Sequence, residues 1–166
     1  MKKLNKLLIV GIICIICFIL DNSLMPFFAI KTIYPSLLFT FVVCYSISSG
    51  SWEGLWLGIF SGFLQDIYFI NGFWTNTFVN MIICFVAGFV GANIFRQKRF
   101  IPVIACLLLS ILKGVLLFVI LWLSGTTINI SDVFFTSVYN MIVCIFMYIP
   151  VYRFCKIDSM KSEWKF

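Results

Sequence analysis

The stretch "GSWEGLWLGIFSGFLQDIYFINGFW", residues 50–74, decides how the whole chain is read. Gly50, Gly54, Gly58 and Gly62 recur at every fourth position among bulky apolar side chains, and Gln65-Asp66 follow. In water a glycine weakens a helix interior by about 1 kcal/mol relative to alanine, and a carboxylate is costly among phenylalanines. Lipid changes the first of these terms. No hydrophobic drive brings helices together there, so small residues promote association by letting backbones approach closely. Gly54, Gly58 and Gly62, with Ser61 beside them, therefore read as a docking groove on a membrane helix. It serves either to pack the chain's own bundle or to receive a partner's helix.

Composition supports that environment. Of 166 residues, 63% are hydrophobic and 11% charged, and mean hydropathy is +1.11. Soluble domains carry about 25% charged residues, so this chain has too little polar surface to coat itself in water. It is an all-α integral membrane protein by this reading. Helices and closed barrels are the structures that cross lipid, and the long apolar runs lack the strict alternation of barrel strands. Breaks at polar, Pro and Gly clusters leave six candidate spans in one membrane domain, roughly 6–25, 34–49, 52–70, 73–95, 100–124 and 131–152. The second is short, and its separation from the third rests on "SISSGSWEG", read as a tight turn.

Charge sets the orientation. With six spans and both termini cytoplasmic, the inner ends hold Lys2, Lys3, Lys6, Arg96, Lys98, Arg99, Arg153, Lys156, Lys161 and Lys165, ten of the twelve basic residues. Lys31 falls outside and Lys113 within a span. Retention of positive charge on the cytoplasmic side favours this arrangement over a five-span one. The net charge of +6 then reflects insertion and contact with anionic lipid, and the scattered basic residues do not make a nucleic-acid surface. The basic, apolar N-terminus resembles a secretory signal, but "FILD" at 18–21 lacks the small residues of a cleavage site, so a retained first helix is expected. The tail "KIDSMKSEWKF" suits the inner membrane surface.

Ionisable residues inside spans are expensive and usually face the bundle interior or a cavity. Asp66, about 21 Å up the third span, and Lys113, about 16 Å up the fifth, are close enough in height for an internal ion pair. Alternatively they share a polar pocket with Gln65, Asn76 and Asn80, the two asparagines lying four apart on one helix face. A second small-residue patch, Ala87-Gly88 with Gly91 and Ala92, is read as packing for the fourth span.

Enzymatic chemistry finds little support. The chain has no histidine, no Ser or Cys beside a base, no paired carboxylates at hydrolase spacing and no phosphate-cradling loop. Cys14-Ile-Ile-Cys17 and the dispersed Cys44, Cys84, Cys106, Cys144 and Cys155 read as small buried hydrophobes, with no metal or cofactor implied. A scaffold and a ligand-binding transport subunit remain.

The ordered motifs resemble the rod shape-determining protein MreD family end to end. They are a polar patch before an apolar-Pro element (Asp21-Asn22-Ser23-Leu24-Met25-Pro26) and a second-helix start at Pro35-Ser36-Leu37, where the family's acid is replaced by serine. The repeat Gly54, Gly58, Gly62, Asp66 follows, with Gly72 in the next loop, and Asn140, Pro150 and Arg153 in the last helix. The resemblance implies a multi-pass protein of the bacterial cytoplasmic membrane, with a fold like the six-helix substrate-binding subunits of energy-coupling-factor transporters. It implies a non-enzymatic place in the cell-elongation complex beside a bitopic MreC-like protein. A RodA-type glycosyltransferase, a class B penicillin-binding protein and actin-like MreB are further implied partners. The competing reading is a vitamin- or metabolite-binding transporter subunit with a pocket around Asp66, Asn76 and Trp74. The short, mostly apolar outer loops favour the scaffold.

Overall fold

The shortest of the expected spans is the one at the centre. In a computed structural model that describes residues 2–30, 33–68, 74–93, 100–123, 125 and 130–156, helix α2, Leu37–Ser49, touches each of the other five helices. These are α1 (Lys2–Ser23), α3 (Ser51–Tyr68), α4 (Thr75–Asn93), α5 (Phe100–Leu123) and α6 (Ile130–Lys156). A helix that is apolar on all sides belongs inside a bundle, and Leu38 through Ile47 are buried without a break. At 13 residues α2 is about 20 Å long, short of the ~30 Å hydrocarbon thickness. A 3-10 turn, Met25–Phe28, and an isolated bridge between Ile30 and Ile33 occupy the path from α1 to α2.

Around this centre the helices bury one stripe each. On α1 the stripe is Val10, Cys14, Cys17 and Asp21, while Leu8, Ile12, Ile15, Ile16 and Ile19 are exposed. Exposed side chains as apolar as the buried ones are what lipid solvates, and in water they would form an aggregating patch. Four helices, α1, α4, α5 and α6, are long and apolar enough to cross a membrane. Among the described residues the architecture is thus helical, and its long apolar helices are consistent with a membrane protein.

Boundaries follow local chemistry. Ser36 caps α2, its hydroxyl accepting from Phe39 N at 3.2 Å. A single residue separates α2 from α3. Gly50 adopts φ +109, the left-handed region that glycine occupies without a Cβ penalty, and its N–H donates to Ser46 O at 2.9 Å. The expected tight turn is present. Gly50, however, is a turn residue and not the first rung of the α3 ladder.

Candidate functional site

The glycine ladder is occupied by the chain's own α4. A Cβ on Gly58 would lie 2.6 Å from Asn80 O and 3.0 Å from the Cys84 Cβ. One on Gly62 would lie 2.5 Å from Asn76 O and 2.6 Å from Thr77 N. A Cβ on Gly54 would lie 2.7 Å from both Ser46 Oγ and Cys84 O. Such approaches are possible only where no side chain intervenes. The groove is therefore filled internally, and a partner's helix has no room in it. Ser61, fully buried, donates to Gly58 O at 3.0 Å. The second patch works the same way: Gly88 abuts the backbone of Gly50 and Ser51, and Gly91 that of Ile47.

Directly above the ladder, Asp66 closes the helix hairpin. Its Oδ1 accepts from Asn76 N at 3.0 Å, and its Oδ2 accepts from Thr77 N at 2.8 Å and Thr77 Oγ1 at 2.6 Å. These N–H groups belong to the first turn of α4 and have no partner within their own helix. A carboxylate there satisfies them and also opposes the positive end of the helix dipole. Asp66 thus caps α4 from α3. Asn76 takes part through its backbone N–H, not through its side chain.

The α1–α2 connection repeats the device. Asp21, at the end of α1, accepts from Leu37 N at 2.6 Å, from Leu38 N at 3.0 Å and from Ser36 Oγ at 2.9 Å. The first turn of α2 holds no acid of its own, and Asp21 supplies one from α1. Ser36 becomes a junction: its N–H donates to Asn140 Oδ1 at 2.9 Å, and its hydroxyl is 3.4 Å from Gln65 Nε2. Asn140, buried on α6, donates in turn to Ser110 Oγ of α5 at 2.8 Å. Pro35, buried, precedes this junction, and Pro26 lies in the first turn of the 3-10 element. Pro150 lies within α6 and Arg153 is exposed in its last turn. Gly72 falls outside the described residues.

Lys113 does not pair with Asp66. The aspartate's oxygens are held at the α4 N-terminus, and the ammonium donates instead to Gln65 Oε1 at 3.0 Å, 4.4 Å from the Phe39 ring centroid. Asn80 Nδ2 donates to the same Gln65 oxygen at 3.0 Å and approaches Ser61 Oγ at 3.4 Å. The expected polar pocket therefore assembles around Gln65, Asn80 and Lys113. Both acids stay out of direct contact with the lysine.

A second cluster, which the sequence reading did not single out, lies at the opposite end. Lys6 Nζ of α1 meets Glu53 of α3 at 2.9 and 2.6 Å, and Tyr45 of α2 donates to Glu53 Oε2 at 3.0 Å. With side chains only 11% and 24% exposed, the pair is shielded enough to matter. Replacing Glu53 by Gln is expected to cost about 1–2 kcal/mol, between the exposed and buried limits for ion pairs. Lys6→Met should cost less, because Glu53 retains Tyr45. Unfolding of the two single variants and the double variant in mixed micelles checks this, and additive losses would refute the coupling.

The rod shape-determining protein MreD family model matches residues 1–157. No curated protein and no solved structure matches the chain.

Proposed function

Because the chain belongs to the MreD family of rod shape-determining proteins, we propose that it is a non-enzymatic scaffold of the cell-elongation complex. Its role is rod-shape determination in a membrane; the mechanism is our reading. In it the chain is a single domain crossing the cytoplasmic membrane six times with both ends inside. Its arrangement is like that of energy-coupling-factor substrate-binding subunits, and it holds a bitopic MreC-like partner near the wall-synthesis enzymes and MreB. One observation carries the reading. The glycine ladder and both intramembrane acids act on the chain's own helices, as Gly58 and Gly62 against α4 and Asp21 and Asp66 at helix starts. Such groups make a rigid platform and leave contact with partners to its outer faces.

The face we assign to a partner's helix is the ridge Trp52, Trp56, Phe60 and Phe63 on α3, opposite the ladder and exposed. Large aromatic side chains dominate interface energies. Co-purification from detergent tests the assignment. The wild type is expected to retain a single-span partner of the wall-synthesis apparatus, and Trp56→Ala with Phe60→Ala to lose it while remaining folded. Retention of an ATP-hydrolysing module in its place would sink the scaffold and favour a transport subunit.

A further inference from the structure

We infer that the outer surface of the bilayer is not level around this protein. It dips on the α1–α4 side, where four helices stop about 15 Å short of α5 and α6, so that lipid headgroups descend to the starts of α2 and α4. The dip rests on the six-span, ends-inside topology proposed above and not on the scaffold role.

Hydrogen bonds fix the relative heights. At the inner end, Glu53 of α3 meets Lys6 of α1 and Tyr45 of α2, and Ser49 Oγ of α2 lies 3.6 Å from Cys155 Sγ of α6. The helices are even there. At the outer end, Asp21 holds the α2 start and Asp66 the α4 start, while Ser36 N donates to Asn140 of α6 and Gln65 ties Lys113 of α5 to the same level. Helix α1 ends two residues beyond Asp21, and α3 two beyond Asp66. By contrast, α5 runs on to Leu123, ten residues past Lys113, and α6 begins at Ile130, ten before Asn140. At 1.5 Å per residue each rises about 15 Å higher. Tilting the bundle would lower one outer edge only by unlevelling the inner ends, which Lys6–Glu53 and Ser49–Cys155 hold even.

Side chains at both heights mark the water boundary. Trp and Tyr concentrate at membrane–water interfaces. Exposed Trp122 stands near the top of α5, nine residues past Lys113, whereas exposed Tyr34 and Trp74 stand at the lower level. Trp74 immediately precedes α4, and its ring lies 5.8 Å from that of Phe63 on α3. Interface-seeking rings at two heights describe a step. Ser36, Gln65, Asp66 and Asn76 also keep partial exposure at the lower level. A level surface would lay about 13 Å of acyl chain over these polar groups, a costly setting for them. Headgroups and water in a dip solvate them instead. Helix length agrees, since neither α2 nor α3 is among the four helices long and apolar enough to cross a membrane. A short apolar stretch thins the bilayer beside it at modest cost. On the taller side, Val115, Val119, Phe134 and Phe135 are exposed and apolar, as contact with a leaflet of full depth requires.

Depth-resolved fluorescence quenching of the full chain tests the step. In phosphatidylcholine vesicles, lipids brominated near the headgroup or near the chain ends report how deep an indole lies. The signal lost on Trp74→Phe or Trp122→Phe isolates each residue. Both side chains are exposed, so neither change opens the core, and Trp74→Tyr serves in place of a Trp74→Phe that does not fold. The depths of Trp74 and Trp122 are expected to agree to within one helical turn, about 5 Å. In sealed vesicles of uniform orientation, both should respond to iodide on the same side. A Trp74 about 13 Å deeper than Trp122 and shielded from iodide would overturn the dip and leave the topology standing. Quenching of the two from opposite sides would overturn the topology, and the dip with it.

Discussion

Gly62→Leu is expected to prevent the bundle from assembling, and Gly62→Ala alone to destabilise it by about 2–3 kcal/mol, the upper range for overpacking a dense core. Even a methyl group at this position would overlap the backbone of Thr77 and lie 2.5 Å from Asn76 O. These atoms belong to a helix start and cannot swing aside as a side-chain tip can. They are also the residues whose N–H groups Asp66 holds. Pushing α4 away from α3 therefore strips the cap as well as the packing, and the two losses should appear together. Gly11→Ala on α1 is the control, because nothing lies within 4 Å of the added Cβ. It should be neutral or slightly stabilising by helix propensity. The quantity to measure is the folded fraction in the membrane fraction, by resistance to extraction and to proteolysis. Cell shape follows as a second readout: cells carrying Gly58→Leu or Gly62→Leu should round, and cells carrying Gly11→Ala should not. Normal folding of Gly62→Leu would show that α3 and α4 do not meet along this face.

The ladder was legible in the sequence because spacing alone specifies a helix face. What spacing could not give was the occupant. The occupant depends on which helix returns beside α3, and a hairpin as short as the one after Asp66 favours the next helix in the chain. The six helices were legible for the same local reason: apolar runs end at Ser, Asn, Gly and Pro, and the observed ends fall within a few residues of the expected ones. The polar network was legible as a membership and not as a set of bonds. Depth puts Asp66 and Lys113 at similar heights, with Gln65, Asn76 and Asn80 as candidates for the same pocket, but it treats the two charges as seeking each other. It omits the stronger claim of four unpaired N–H groups at each helix start. Ser36 and Thr77 carried a usable signal, a small hydroxyl residue at or near a helix N-terminus. The Lys6–Glu53–Tyr45 cluster carried none, because its members are conventional surface residues until the fold brings three helix ends to one point.

Asp21→Ala should be the most damaging change of a single polar side chain, costing about 3 kcal/mol or more, since each buried donor left unsatisfied costs ~1–3 kcal/mol. Three donors are affected: Leu37 N, Leu38 N and the Ser36 hydroxyl. Asp21 is only 9% exposed, so water does not readily replace it. The helix it caps is α2, the one all others pack against. Fraying at that start loosens Ser36, and through Ser36 N and Asn140 it reaches Ser110 and the α5–α6 pair. Asp21→Asn separates charge from hydrogen bonding. An amide offers one acceptor where the carboxylate uses two oxygens, so it should recover part of the loss and leave one backbone N–H unmet. Hydrogen exchange locates the effect: amides 37 to 40 should lose protection first, before those of α4, whose cap on Asp66 is independent. If Asp21→Ala were to unfold with the wild-type midpoint, the carboxylate would not be holding α2, and the paired-cap account of this bundle would fail at its centre.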